Sequence, residues 1–355
     1  MRADIARQPD VLTARAVRAG EFAAAGAKYI APGPGGRVIV SGCGDGIFAA
    51  LAASAFARAR GLDWRSVGAL ELTLDTPRLT KADRVICISM SGNVDRTVEA
   101  ARAAEAAGAP LLALVNGGGG RLGEIAAAKL SLDLPDVAPF LCGTASYTAT
   151  VAALQTIAAG AAGRSGDAGT VAAARDAQAK ALAAAENLLP AVVARVPASV
   201  RLLSAGAELG TAQYGAAKLV ELTRIPAWSA DLEEFAHSQY WAMPTDSLVV
   251  VIAADATLAR YASESCEALG ELGVATLAID TAATPVAAAR FRVTLPVLAP
   301  ELAPLATALP LQLLAYHLAE ATGLDPNTRM HLKGDELRFR VSRKLTRRSL
   351  IGTGH

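Results

Sequence analysis

The sequence predicts an α/β chain of two tandem domains, each a doubly wound parallel sheet, with a helical connector between them and a tail behind. Three observations predict it. Short apolar runs rich in β-branched residues alternate with stretches whose apolar groups recur at helical spacing, the pattern of strands feeding crossover helices. The alternation occurs twice in matching order, as in a duplicated domain. A chain of 355 residues with 52% hydrophobic content is enough for two cores of ordinary domain size.

Residues 1–34 read as an N-terminal helical segment. In the first domain, 35–163, "RVIVSGCGDGIFAALAA" (37–53) is a strand, a small-residue turn and a helix. Val85-Ile86-Cys87-Ile88 is a buried strand that runs into Ser89, Ser91 and Gly92, and a helix begins only after Asn93. "PLLALVN" (110–116) and "KLSLDLP" (129–135) add strands, and a long Ala/Leu-rich helix follows. Residues 164–196, rich in alanine, form the connector. The second domain, 197–330, repeats the order: 199–217 answers 37–53, 247–280 answers the strands and helix from 84 to 116, and "FRVTLPV" (291–297) answers 129–135. Strands of this kind, buried on both faces, belong to parallel sheets covered by helices. Residues 331–355 are a C-terminal loop and basic tail.

The turn after residue 88 has two readings. Small hydroxyl residues beside the free amides of a helix start can hold an anion, most often a phosphate; Ser or Asn there can equally be an N-cap with a glycine turn. Ligands of open parallel sheets bind beyond the carboxyl ends of the strands, where both "SGCGDG" and "SMSG" fall. The second domain has Ala253-Ala254-Asp255 in place of "SMSG", a carboxylate and no hydroxyls, so only the first domain keeps a candidate cradle.

Composition excludes several classes. With 34 basic and 33 acidic residues, net +1, the chain has no nucleic-acid footprint, and the basic run from Arg338 to Arg348 reads as a solvated tail. There is no signal-peptide core and no uninterrupted apolar run of membrane-spanning length, so a cytoplasmic location is expected. Cys43, Cys87, Cys142 and Cys266 are too dispersed for a zinc site or disulfide framework, and His237, His317, His331 and His355 have no ligand spacing; no metal or cofactor is expected. His317 reads as packing. His331, close to Lys333, is a weak candidate for lining a site.

The tandem arrangement, with "SGCGDG" then "SMSGNVDRT" in one half and "GAAKLVEL" then "EEFAH" in the other, resembles the sugar isomerase (SIS) family. It is most similar to the isomerase half of glucosamine-6-phosphate synthase and to related phosphosugar deaminases and deglycases, over residues 35–335. The resemblance implies flavodoxin-like domains and a site in which Glu221 is the base, Lys218 lies three residues before it, and His237, sixteen residues after it, opens the sugar ring. It also implies that Lys333, in "LPLQLLAYHLAEATGLDPNTRMHLK" (309–333), closes over the sugar. A homodimer with the site between subunits, and the histidine supplied by the neighbour, is a further implication. The chemistry is coherent: a carboxylate moves a proton between C1 and C2 through an enediol, a histidine shuttles the ring-opening proton, and ammonium groups steady the oxyanion. By themselves, Lys218 and Glu221 also read as a surface ion pair.

Departures from the family accompany the matches. Where the family's phosphate cradle has Thr-Ser, then Ser-Gln-Ser-Gly and a threonine, this chain has Asp45 and Gly46, then Ser89-Met90-Ser91-Gly92, and Val94. Cys43, Gly44, Asp45, Ser89, Ser91, Gly92 and Asn93 remain the substrate-binding candidates, with Thr144 next to Gly143 at the place of the family's sugar-contacting serine; Arg96 is placed to reach over. No cysteine precedes Cys43, so the synthase's glutaminase chemistry is not expected. With Asp45 in the cradle, a sugar hydroxyl or an amine is an alternative to phosphate there, so the expected activity is isomerisation of an unusual phosphosugar, an amino sugar or a sugar with no phosphate, or its deaminating variant. The alternatives are a regulatory protein that binds a sugar without turnover, or a purely structural role.

Overall fold

The computed structural model describes residues 1–74, 78–138 and 140–346. It contains two five-stranded sheets, parallel throughout. The first is formed by β1 (Val38–Gly42), β2 (Trp64–Gly68), β3 (Arg84–Ile88), β4 (Leu111–Val115) and β5 (Ala128–Ser131), in the order β2-β1-β3-β4-β5. The second is formed by β6 (Val200–Ser204), β7 (Ala227–Asp231), β8 (Leu248–Ile252), β9 (Ala275–Thr281) and β10 (Phe291–Leu295), in the order β10-β9-β8-β6-β7. Read from its other edge, this is the order of the first sheet, so the sequence duplication is a duplication of topology. The predicted fold class, tandem doubly wound α/β, is the observed one.

The chain divides into two compact units. One, comprising 12–136, 149–172 and 330 onward, holds the first sheet; the other, comprising 1–11, 137–148 and 173–329, holds the second. In the first unit one sheet face, with Ile39, Val85, Cys87, Leu111 and Ala113, packs on Ala100, Ala101 and Ala104 of the helix Asp95–Ala106. In the second unit, alternation along the strands divides the core in two. Leu202, Val250, Leu277 and Ile279 face Leu219, Leu311 and Leu314, together with Ala181, Ala185 and Leu189 of the helix Ala174–Val192. Leu203, Val249, Val251 and Ala278 face Ala259, Ala262, Cys266 and Leu269 of the helix Ala256–Glu271. Successive residues of a strand point to opposite faces, so every position of β6 and β8 is buried.

The N-terminal segment is helical over Arg2–Ala6, Gln8–Val17 and Ala19–Ala25. The tail forms the short helix Met330–Gly334 and the exposed helix Glu336–Thr346; its remainder, 347–355, with Arg347 and Arg348 of the basic run, lies outside the described residues. No described helix is long and apolar enough to cross a membrane.

An ion pair fixes the entry to the first sheet. Asp83, before β3, is buried and accepts from the backbone N–H of Arg37, from Arg37 Nε and Nη2 at 2.9 Å each, and from Thr80 N at 2.9 Å. The bonds from Arg37, aided by those of the backbone, hold its carboxyl well below the usual range against the opposing effect of burial. This stabilisation is present above the ordinary carboxylate pKa and is lost as pH falls toward the depressed folded value. Arg37→Ala strands a buried carboxylate, and chemical denaturation at neutral pH is expected to show a loss of about 3 kcal/mol.

Candidate functional site

In the second unit, β6 leads through a short turn into the helix Glu208–Thr223. Gly215 lets that helix lie close on the sheet: a Cβ there would come within 2.8 Å of Leu202 Cδ2 and 2.7 Å of Leu311 Cδ1. One face of the helix is therefore pressed inward, and it carries Lys218, only 2% exposed. Lys218 Nζ donates to Glu221 Oε1 at 2.9 Å, one turn on. The ammonium also lies 5.4 Å from the ring centroid of Tyr214. That ring stacks on Tyr147 with centroids 3.7 Å apart, and its hydroxyl donates to the Gly143 carbonyl at 2.9 Å.

Glu221 is held from a second side by residues far away in sequence. Arg329 Nη1 donates to Oε2 at 2.7 Å, while its Nε and Nη2 donate to the carbonyls of Phe140 and Leu141. Cys142 Sγ contributes a weak bond to Oε2 at 3.4 Å. Burial works to raise the carboxyl's pKa, but the charges of Lys218 and Arg329 outweigh it and hold the group below the ordinary glutamate value. The result is an ionised, partly accessible carboxylate between two cations: a proton acceptor with positive charge where an adjacent oxyanion would develop. Sequence reasoning found Lys218 and Glu221 but not Arg329 or Cys142. Arg329 lies in the quoted stretch before Lys333, and Cys142 stands beside Gly143; neither carries a local sign of its partner.

The other predicted residues are placed as follows. His237 ends the short helix Leu232–His237, is exposed, and bonds Glu233 Oε1 through Nε2 at 3.0 Å. Thr144 is fully buried, and its hydroxyl bonds Asp4, which also accepts from Ala145 N at 3.1 Å. Lys333 belongs to the other unit, where it lines an open cleft of about 440 Å³ with Glu336, Phe339, Arg340, Arg343 and Lys344.

In the first unit the remaining candidates gather at the ends of β1 and β3. These neighbouring strands mark the point where the strand order reverses. Cys43 is exposed and accepts a weak bond from Thr97 Oγ1 at 3.6 Å. Gly44, with φ +53°, precedes the helix Asp45–Ala52, which Asp45 begins. Ser89 is 5% exposed and its Oγ finds no partner among the described residues. Ser91 Oγ accepts from Asn93 N at 3.2 Å. Gly92, with φ +65°, passes so close to the next turn that a Cβ would lie 1.7 Å from the Gly119 carbonyl oxygen, which only glycine permits. The Asn93 side chain locks the same contact, donating to the Ser91 carbonyl and accepting from Arg121 N. Arg96, expected to reach over the turn, pairs with buried Glu99.

The equivalent place in the second sheet is acidic. Glu208 begins the helix after β6, is buried, and accepts from Thr307 Oγ1 at 3.0 and 2.9 Å. Asp255 caps the helix after β8 by accepting from Leu258 N at 2.9 Å. No cluster of three or more His, Cys, Asp or Glu suited to a metal occurs among the described residues.

The fold agrees with what comparison finds. Residues 34–160 match the family model of the SIS domain. No curated protein sequence matches the chain. Among solved structures it is similar to the C-terminal domain of glucosamine-fructose-6-phosphate aminotransferase from Francisella tularensis, with TM-score 0.76, 17% identity, and 92% of this chain and 97% of that one covered. It is similar to tagatose-6-phosphate ketose/aldose isomerase from Escherichia coli, with TM-score 0.76, 20% identity, and coverage of 92% and 94%. It is also similar to glucosamine-6-phosphate deaminase from Thermotoga maritima, with TM-score 0.72, 15% identity, and coverage of 90% and 96%.

Burial pushes the Glu208 carboxyl up from 4.5 to about 7. Between those values the folded protein holds a proton that the unfolded chain has released, so stability falls as pH rises through this window and levels off above it. Glu208→Gln is expected to flatten that slope and to stabilise the protein above pH ~7, by on the order of 2 kcal/mol, in urea denaturation series across the window.

Proposed function

We propose that the protein catalyses proton transfer between C1 and C2 of a sugar through an enediol, as an aldose–ketose isomerase or its deaminating or deglycating counterpart on an amino sugar. The observation that carries this reading is the Lys218–Glu221–Arg329 constellation, in which an ionised carboxylate is paired with two cations at bonding distance. In the proposed reaction Glu221 takes the proton from one carbon and returns it to the other. The negative charge that passes to the sugar oxygen is balanced by Lys218 and Arg329. His237 opens the ring by shuttling a proton between the anomeric hydroxyl and the ring oxygen. In this reading, as the family resemblance implies, it serves the neighbouring protomer of a homodimer. The similar folds include a ketose/aldose isomerase and a deaminase, which supports chemistry of this class.

A second reading, a regulatory protein that binds a sugar without turnover, is favoured by one observation: the carboxylate that would act as base is held below ordinary basicity by its two cations. Proton NMR in deuterated water separates the two. With a panel of phosphorylated and unphosphorylated hexoses and hexosamines, wild-type protein is expected to exchange the C1 or C2 proton, and Glu221→Gln to slow that exchange by at least about 10²-fold. Full exchange by the variant would remove Glu221 from the reaction. Binding of a sugar with no exchange by the wild type would select the regulatory reading.

A further inference from the structure

Consecutive residues of one loop support the Glu221 constellation. The Phe140 and Leu141 carbonyls accept from Arg329 at 3.3 and 3.1 Å, and the Cys142 thiol bonds Glu221 Oε2. The Gly143 carbonyl accepts from Tyr214, whose ring lies beside the Lys218 ammonium. Residues 141–143 belong to no helix or strand, so no ladder of backbone bonds fixes them. The loop is tied down at its far end instead. Thr144, fully buried, donates to Asp4 Oδ2, which also accepts at 3.1 Å from the amide of Ala145, the first residue of the helix Ala145–Ala161. Asp4 is itself 5% exposed, and its Oδ1 accepts from Arg7 Nε at 2.7 Å. A second tie runs alongside. Gln8 Nε2 donates to Gln312 Oε1 at 2.5 Å, Gln312 Nε2 donates to the Thr144 carbonyl at 3.4 Å, and Thr148 Oγ1 donates to Gln8 Oε1 at 2.7 Å.

Buried polar groups are costly to leave unpaired. Without the Asp4 carboxylate, the Thr144 hydroxyl and the Ala145 amide would lose their acceptor inside the protein, and the backbone there would move to find another. Thr144 follows directly on the four residues that reach Arg329, Glu221 and Tyr214, so the movement passes to the two carbonyls that aim Arg329 and to the thiol beside Glu221. Placement matters for such chemistry, since a shift of about 1 Å can cost about 10²-fold in rate. We infer that Asp4 is a positioning residue for the proposed proton transfer, holding the loop that aims Arg329 and Glu221. The inference rests on the proposed reading of Glu221 as the base.

Alkylation of the folded full-length protein by iodoacetamide, mapped by peptide mass spectrometry, reads the loop without any substrate. Cys142 is 1% exposed, and Cys87 and Cys266, at 0% and 1% in other cores, report general loosening. Asp4→Ala is expected to speed labelling of Cys142 by at least about tenfold and to leave Cys87 and Cys266 at the wild-type rate. Thr144→Val, which keeps the side chain's shape and removes the hydroxyl, is expected to act in the same direction and serves if Asp4→Ala does not fold. In deuterated water, with a sugar that the wild type exchanges, Asp4→Ala is expected to slow C1 or C2 exchange by about tenfold or more. Its acidic limb is expected to move up by about one pH unit: the groups facing Glu221 are Lys218, Arg329 and Cys142, and an Arg329 no longer aimed at the carboxylate lowers its pKa less. Equal labelling gains at all three cysteines, or none at Cys142, overturn the inference. Wild-type exchange rate and pH profile in Asp4→Ala overturn it too, and leave the proposed reaction standing. If the wild type exchanges no proton with any sugar, the proposed reaction falls and the role of Asp4 falls with it.

Discussion

Lys218 is an ammonium group almost without solvent, and Glu221, one turn away, supplies a carboxylate that offsets the cost of burying it. An unpaired buried cation would cost several kcal/mol or lose its proton. The pairing requires the carboxylate to look toward the helix interior side, and Gly215 allows that side to sit close on β6. Once the carboxylate is committed to Lys218 through Oε1, its other oxygen is open to Arg329 and Cys142, and Arg329 in turn ties the segment 140–141 to the helix through two carbonyls. One buried charge thus organises a helix, a loop and the residue that ends the second sheet's unit.

The two sheets share strand order but differ in what they place at the point where that order reverses. In the first, serines and glycines surround the strand ends, and the carboxylates Asp45 and Asp95 stand at the helix starts. In the second, Glu208 is enclosed so fully that burial raises its pKa, and Asp255 is consumed as a cap. A helix start after a parallel strand favours negative charge wherever it occurs. Duplication preserved that electrostatic demand in both halves, each of which meets it with its own side chains. What separates the halves is solvent: the first sheet's switch point retains an exposed Cys43 and a half-buried Asp45, whereas the second has closed over its carboxylate.

Much of this was legible in the sequence, for physical reasons that can be named. The central strands are buried on both faces and appear as apolar runs; together with the edge strands β5 and β10, whose apolar residues alternate with polar ones, eight strands overlap stretches read as strands. The edge strands β2 and β7, "WRSVG" and "AWSAD", were not anticipated; each is partly solvated and mixes polar with small residues without the regular alternation of β10. Lys218 and Glu221 were singled out by the family resemblance; their helical spacing by itself reads as a surface ion pair, which does not announce that Lys218 is buried. Arg329 and Cys142 were not singled out, because their contacts with Glu221 span 108 and 79 residues and nothing in the intervening chain encodes them. The same holds for the Asp4–Thr144 bond, which spans 140 residues and which no local pattern anticipates.

The charge arrangement around Glu221 carries a trade-off that bears on any proton-transfer chemistry there. Two cations lower the carboxylate's proton affinity and so weaken it as a base in the resting protein. The same cations stabilise the negative charge that leaves the carboxylate and appears on a neighbouring oxygen when a carbon-bound proton is taken. Only interactions stronger in the transition state than in the ground state accelerate a reaction. Lys218 and Arg329 therefore help catalysis to the extent that they turn from the carboxylate, neutral once protonated, toward the new oxyanion. Lys218 is buried beside Tyr214, and Arg329, about a quarter exposed, is held by the Phe140 and Leu141 carbonyls as well as by Glu221, so in the resting structure both cations are fixed and the carboxylate stands between them.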